Sequence, residues 1–334
     1  MERSTADRGS ADLRGAAAHA ASASFRIDVL EGLGRRAKAI PSRWLYDARG
    51  SELFREIMGL RAYYPTRAEQ RILDRHAPEI TSPLAGTTCT VVDLGAGDGA
   101  KTRLLLDALC GGGPPPRYAP VDVSAAALAQ AGGRMASAFP GMEILPVQAE
   151  YLDGLRALGT RRAGPLLVLF LGSSVGNLEL PEAVAFLRSL RRWLRPGDHV
   201  LIGLDLLKDV GTLHAAYDDA DGVTAAFNLN LLERMNRELD GDLDVRAFEH
   251  VATFDPSRPA MESWLRSRRR QRVRVAGTCF SLEAGERIHT EISCKYRERD
   301  GAALARTAGF EEVAWHGDGR HRFADALWRV GASR

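Results

Sequence analysis

The chain has 334 residues, 45% hydrophobic and 26% charged, with 45 basic and 43 acidic side chains for a formal net charge of +2. Those values exclude a disordered, fibrous or collagenous chain, and so balanced a charge argues against a dedicated nucleic-acid binder. The four cysteines (Cys89, Cys110, Cys279, Cys294) include no C-x-x-C pair, and the longest apolar run, Pro165–Leu171, is far too short to span a bilayer. A soluble cytoplasmic protein with no disulfide framework, membrane segment or metal-ligand cluster is expected.

Residues 1–24, rich in Ala, Ser, Arg and Gly, lack the apolar stretch of a signal peptide and read as a disordered tail, with a short helix over 16–21 as an option. From Phe25 to Pro78 the pattern is helical, broken at Pro41 and Pro65. Ser51 is placed to cap a helix carrying Leu53, Phe54 and Ile57 on one face, and Thr66 to cap the next, with Glu69 at its capping-box position. Thr90-Val-Val-Asp-Leu94 then reads as a strand running into Gly95-Ala-Gly-Asp-Gly99 and a helix to Leu109. Strands follow at 118–123, 142–147, 166–171 and 199–204, with helices at 125–139 and 181–194 between them. Such alternation predicts an α/β fold, a Rossmann-like parallel sheet with helices on both faces.

From Lys208 to about Arg274 the alternation stops and helical patterns with few strand signals take over. A helix at 302–308 and strands at 312–315 and 323–330 complete the sheet after this mainly helical insertion. The arginine run Arg266, Arg268, Arg269, Arg270, Arg272, Arg274 alternates near its end with Val273 and Val275, as a solvated strand face does.

Asp93-Leu-Gly-Ala-Gly-Asp-Gly99 carries the most chemistry. Glycines at 95, 97 and 99 let the backbone turn tightly and approach a ligand closely. The third glycine comes one residue too early for the dinucleotide fingerprint, which disfavours a nicotinamide-dependent oxidoreductase. The D-x-G-x-G-x-G form is that of S-adenosylmethionine-dependent methyltransferases. Asp122 ends the next strand, where a carboxylate can take both ribose hydroxyls of an adenosine; as an alternative it caps the helix after Ser124. Asn177 closes the Phe170-Leu-Gly-Ser-Ser-Val-Gly-Asn177 segment at the end of the fourth strand, either as a substrate contact or as a helix-start cap.

Longer blocks are more specific. Trp44-Leu-Tyr-Asp47, Tyr63-Tyr-Pro-Thr-Arg-Ala-Glu69, the segment ending in Asn177, Asp205-Leu-Leu-Lys-Asp209, Ala216-Tyr-Asp-Asp219, Gly222-Val-Thr-Ala-Ala-Phe-Asn228, Phe248-Glu-His-Val251 and Thr290-Glu-Ile-Ser-Cys-Lys295 resemble the ergothioneine-pathway L-histidine Nα-methyltransferase family. The resemblance runs from about Trp44 to the C-terminus. It implies a class I methyltransferase core with a seven-stranded, mostly parallel sheet, formed by 25–207 and 295–334, the N-terminal helical segment included. Residues 208–294 would be an inserted substrate-recognition lobe. It implies S-adenosyl-L-methionine as cofactor and trimethylation of the L-histidine α-amine through the mono- and dimethylated forms to hercynine, by a monomer without nucleic-acid or membrane partners.

Residue by residue, the resemblance places cofactor contacts at Gly95, Gly97, Lys101, Asp122, Glu150 and Tyr151, where the family has Asp-Phe in place of Glu150-Tyr151. Substrate contacts would be Tyr63, Asn177, Tyr217, Glu291, Ile292 and Ser293, with Tyr46 positioning the amine. Glu291 and Ser293 are two apart, so on a strand both face one side, where a carboxylate and a hydroxyl could serve the two imidazole nitrogens. From spacing alone the same pair reads as an exposed strand face. Ser263 stands where the family pattern has methionine, which implies a roomier pocket. The alternatives are an N-methyltransferase of the same fold acting on another amino acid or aromatic amine, and a cofactor-binding module without catalysis.

Overall fold

A computed structural model describes residues 22–331. Of the expected tail and the 16–21 helix, everything before residue 22 lies outside the described residues, and 22–24 already belong to a helix. The chain runs α1 (22–34), β1 (Lys38–Ala39), α2 (Ala48–Gly59), α3 (Pro65–Thr81), β2 (Thr90–Leu94), α4 (Ala100–Gly111), β3 (Arg117–Asp122), α5 (Ala125–Ala138), β4 (Val147–Gln148), α6 (Tyr151–Leu158), β5 (Leu166–Phe170), α7 (Leu180–Arg191) and β6 (His199–Asp205). It continues through α8 (Val210–Tyr217), α9 (Val223–Glu238), β7 (Phe248–Asp255), β8 (Ala260–Ser267), β9 (Gln271–Val275), β10 (Thr278–Leu282), β11 (Arg287–Cys294), α10 (Glu298–Ala308), β12 (Glu311–Gly317) and β13 (Phe323–Arg329). Among the described residues no helix is long and apolar enough to cross a membrane.

Seven strands form one sheet in the order β12-β13-β6-β5-β2-β3-β4. β13 runs antiparallel to both its neighbours, and the other pairs are parallel. The strand pleat sorts the core into two layers. Val92, Val121, Val168, Phe170 and Ile202 pack with Leu155 of α6, Leu187 of α7 and Leu304 of α10 on one face. Val91, Tyr118, Leu167, Leu169 and Leu201 pack with Leu73 of α3, Leu105 of α4 and Met135 of α5 on the other. Helices on both faces of a parallel sheet place the C-terminal strand ends, and the loops that follow them, at one edge.

Local structure corrects several expectations. Ser51 does not cap α2: the helix begins at Ala48, and the Asp47 carboxylate accepts from the Gly50 N–H at 2.8 Å. α3 begins at Pro65, whose missing N–H suits a first turn, and no side chain caps it. The strand expected over 142–147 contracts to Val147–Gln148 with an isolated bridge between Tyr118 and Ile144, because Pro120 of β3 has no N–H to give Leu145 O.

The described chain divides into two compact units. One comprises the residues up to Gly59, His214–Phe254 and Glu262–Glu291; the other comprises Leu60–Leu213, Asp255–Met261 and Ile292 onward. Residues up to Gly59 therefore group with most of the insertion, whereas α3 of the N-terminal helical segment groups with the sheet core. The reason for the first grouping is local: Phe25 stacks on Trp44 at 4.9 Å, and the Arg234 guanidinium lies 4.5 Å from the Phe25 ring centre and 5.3 Å from that of Trp44. Asn230 and Arg237 of α9 both bond the Asp47 carboxylate. The insertion is not mainly helical. Only α8 and α9 are α-helices, with a single 3-10 turn at Val245–Ala247; β1, β11, β8 and β7 form a four-stranded sheet in that order, and β9 and β10 a hairpin. Arg266, Arg269 and Arg270 of the arginine run pair with Glu249, Asp244 and Glu283.

Candidate active site

The glycine loop starts from a strand buried at every residue. Asp93, inside it, accepts from Thr102 Oγ1 of α4 at 2.5 Å and from the Tyr118 hydroxyl of β3 at 3.1 Å, joining three elements under the loop. Burial pushes its carboxyl up to about 6 against those hydrogen bonds. Gly95, Gly97 and Gly99 have φ of 76°, 54° and 71°, a region that penalises any Cβ. The Gly95 N–H donates to Val121 O at 2.8 Å, tying the loop to the end of β3.

Asp122 follows Val121. One of its oxygens accepts from the Gly97 N–H at 3.2 Å, the other from the Ser124 N–H at 2.9 Å. The cap of α5 is Ser124, whose hydroxyl accepts from the Ala127 N–H at 3.2 Å, so capping does not account for Asp122. Burial raises the Asp122 carboxyl and the backbone N–H groups oppose it. A carboxylate has about four lone-pair directions and two are taken, so two hydroxyls still fit. Beside it, Gly97 opens onto space with no atom where a Cβ would stand. The Tyr151 ring lies about 3.5 Å from the Cβ position of Gly95 and packs edge-on against Phe170, while Glu150 is exposed at the start of α6. These groups fit an adenosine-bearing ligand.

Lys101, on the first turn of α4, pairs with Glu69. Glu69 is fully buried and its other oxygen accepts from the Gly172 N–H at 2.7 Å, in the loop after β5. Glu69 is thus no capping residue. It shares a helix face with Ile72 and Leu73, three and four residues on, and that placement was the available signal of burial. Asp325 of β13 is also fully buried with both oxygens unbonded; burial, and then the charge of Glu69, push its carboxyl well above the usual range.

A second polar cluster forms at the end of β6. Asp205 accepts from the Tyr64 hydroxyl at 2.8 Å, from Lys208 Nζ at 2.5 Å and from Lys295 Nζ at 2.9 Å. Burial works to raise the Asp205 carboxyl, and the ammonium groups of Lys295 and Lys208 outweigh it and hold it low. Burial likewise pushes Lys208 down to about 8, against the pull of Asp205. Lys295 Nζ also donates to Ser293 Oγ at 2.6 Å. Ser173, with a left-handed φ of 60°, accepts from the Asp205 N–H at 2.9 Å through its hydroxyl and starts the turn that ends in Asn177. Tyr63 is half-buried in the turn before α3, and Ile292 is buried. Sequence reasoning missed Tyr64, Asp205, Lys208 and Lys295 as a group, although blocks containing each were legible.

In the other unit, the half-buried Tyr46 ring packs edge-on against Phe54 and Phe227, each at 5.3 Å. Tyr217 ends α8, and its carbonyl accepts from His250 Nε2 at 2.9 Å. Asn228 Nδ2 donates to His250 Nδ1 at 2.8 Å, which fixes a neutral tautomer, and burial lowers the pKa of that imidazole. Asp219 caps α9 through the Val223 and Thr224 N–H groups at 3.0 and 2.7 Å. Ser263 is buried, with Oγ 3.4 Å from Glu291 Oε2.

Residues 25–330 match the family described as histidine-specific methyltransferase, SAM-dependent. The chain is 43% identical to the histidine N-alpha-methyltransferase of Mycolicibacterium smegmatis over 304 residues, covering 90% of this chain and 94% of that one. It is 42% identical to the histidine N-alpha-methyltransferase of Mycobacterium tuberculosis over 88% of this chain and 91% of that one. Ergothioneine biosynthesis protein 1 of Neurospora crassa is 30% identical over 83% of this chain, a stretch that spans 32% of the fungal protein. With its glycine loop, its strand-end Asp122 and this match across nearly all of its length, the chain belongs to the S-adenosylmethionine-dependent, histidine-specific methyltransferases.

Proposed function

We propose that the protein methylates the α-amine of L-histidine three times in succession, giving hercynine as a step of ergothioneine biosynthesis. The observation that carries this reading is its likeness, over nearly the whole chain, to two mycobacterial proteins named for histidine Nα-methylation. Bound S-adenosylmethionine supplies an electrophilic methyl group on a sulfonium. Asp122 would take the ribose hydroxyls on the lone pairs that Gly97 and Ser124 leave free. Gly95, Gly97 and Tyr151 would line the cofactor, Glu150 would accept from the adenine amine, and Lys101 would donate to the methionine carboxylate with the N–H groups not given to Glu69.

On the substrate, Glu291 would accept the imidazole N–H and Ser293 serve the second nitrogen, with Ile292 between them on β11. Lys295 Nζ donates to Ser293 Oγ, which fixes that hydroxyl's place on the strand. Tyr63, Asn177 and Tyr217 would hold the α-carboxylate and α-amine, and Tyr46 would orient the amine. A protonated amine has no lone pair, so each transfer requires loss of one proton before attack. A second reading, a wider amino-acid range, draws on Ser263: the small side chain beside Glu291 replaces the methionine of the family pattern and leaves room for a larger ring.

Mass spectrometry of a reaction holding enzyme, S-adenosylmethionine and L-histidine tests the proposal. Histidine carrying one, two and finally three added methyl groups is expected, with one S-adenosylhomocysteine per methyl. Unmodified histidine after prolonged incubation with a high concentration of enzyme would contradict it.

A further inference from the structure

Away from the glycine loop, the last turns of α3 and the edge strand β12 bring three ligating side chains together. His76 and Glu79 are three apart on α3 and so share a face. His316 comes from β12, near the other end of the chain. Their ligand atoms all lie within 4.8 Å of one another. Glu79 Oε2 stands 2.9 Å from His76 Nδ1 and 3.7 Å from His316 Nδ1. Three donors bonded to one metal at about 2.1 Å are separated by roughly 3 to 3.6 Å, so small shifts bring these atoms to ligand spacing.

The state of His316 is the second observation. Its side chain is only 10% exposed, its Nε2 is buried without a hydrogen-bond partner, and its Nδ1 is too far from Glu79 for a hydrogen bond. A buried imidazole ordinarily satisfies at least one nitrogen. Instead its ring stacks on that of His76, with centres 4.9 Å apart and planes at 34°.

We propose that His76, Glu79 and His316 form a zinc-binding site that clamps the end of α3 to the sheet edge. Two imidazoles and a carboxylate suit Zn²⁺ among abundant divalent ions, because Mg²⁺ and Ca²⁺ prefer oxygen ligands throughout. Glu79 is 65% exposed, which leaves the outer side open for water as a fourth ligand. An open three-ligand site binds reversibly, so the added stability grows with the logarithm of free zinc above Kd. The clamp holds the helix whose first turns carry Glu69, and none of its three ligands is among the residues proposed for substrate and cofactor.

The test uses the full-length untagged protein after EDTA dialysis, titrated calorimetrically with zinc chloride. One equivalent is expected to bind the wild type and to raise its Tm. Glu79→Gln, at an exposed position where folding is not at risk, is expected to weaken binding about tenfold or more and to abolish the Tm rise. His316→Ala should do the same, with circular dichroism checking its fold. No zinc retained by the wild type, or unchanged affinity in Glu79→Gln, would overturn the site. Methyl transfer is read separately, so failure here leaves the proposed activity standing.

Discussion

Asp93 sits where the strand is buried on both faces, and Thr102 and Tyr118 hold its carboxyl with two hydrogen bonds. Burial still raises its pKa from 3.8 to about 6, so the folded state binds this proton more tightly than the unfolded one. Its contribution to stability is therefore complete below about pH 4 and is lost as pH rises through about 6. The displacement corresponds to roughly 3 kcal/mol. An asparagine at this position keeps an acceptor for Thr102 and carries no charge at any pH. Asp93→Asn is expected to gain stability relative to wild type by about 2–3 kcal/mol between pH 4 and pH 8, read from urea unfolding at both ends. A pH-independent difference between the two proteins would show that Asp93 does not titrate in that range. Asp93 was legible as the acidic start of the glycine motif. Its hydrogen bonds were not, because Thr102 and Tyr118 reach it only after α4 and β3 pack on β2.

Helix α3 shows what periodicity can and cannot reveal. Its apolar positions predicted a helix, yet Glu69 looked like a cap because its spacing from Thr66 matched one. The structure places Glu69 against the sheet, where a Cβ on Gly203 of β6 would overlap Glu69 Oε1 and stand 3.1 Å from the Gly172 N. Gly203 is therefore small because a buried carboxylate and the turn after β5 converge on it. Gly203→Ala should displace Glu69 from Gly172 and Lys101 and cost about 1–3 kcal/mol of stability, as overpacking does. Urea unfolding checks this, and a variant as stable as wild type would mean the carboxylate has room to move. Among the strands, β2 and β5 were legible as short apolar runs buried on both faces. β7 and β8 were not, since Glu249, His250, Glu262 and Arg266 interrupt the alternation that marks a strand. Pro120 of β3 cut β4 short by a rule the sequence did contain.

At the scale of the molecule, the alternation of strands and helices around a glycine loop was enough to predict the sheet, and the order β12-β13-β6-β5-β2-β3-β4 carries the single antiparallel strand at β13. The attachment of the residues up to Gly59 to the insertion was not legible, because it depends on cross-chain contacts such as Arg234 on Phe25 and Asn230 on Asp47. Likewise the glycine loop could be read residue by residue, whereas the Asp205 cluster joins Tyr64, Lys208 and Lys295 from three distant stretches. The central claim is that this fold is set to methylate histidine. Its most direct measurement compares kcat/KM across free amino acids at saturating S-adenosylmethionine, following release of S-adenosylhomocysteine. A site that pairs the imidazole nitrogens rejects side chains lacking them, so histidine should exceed tryptophan, tyrosine and phenylalanine by orders of magnitude. Equal or faster turnover of any of those three would contradict the account.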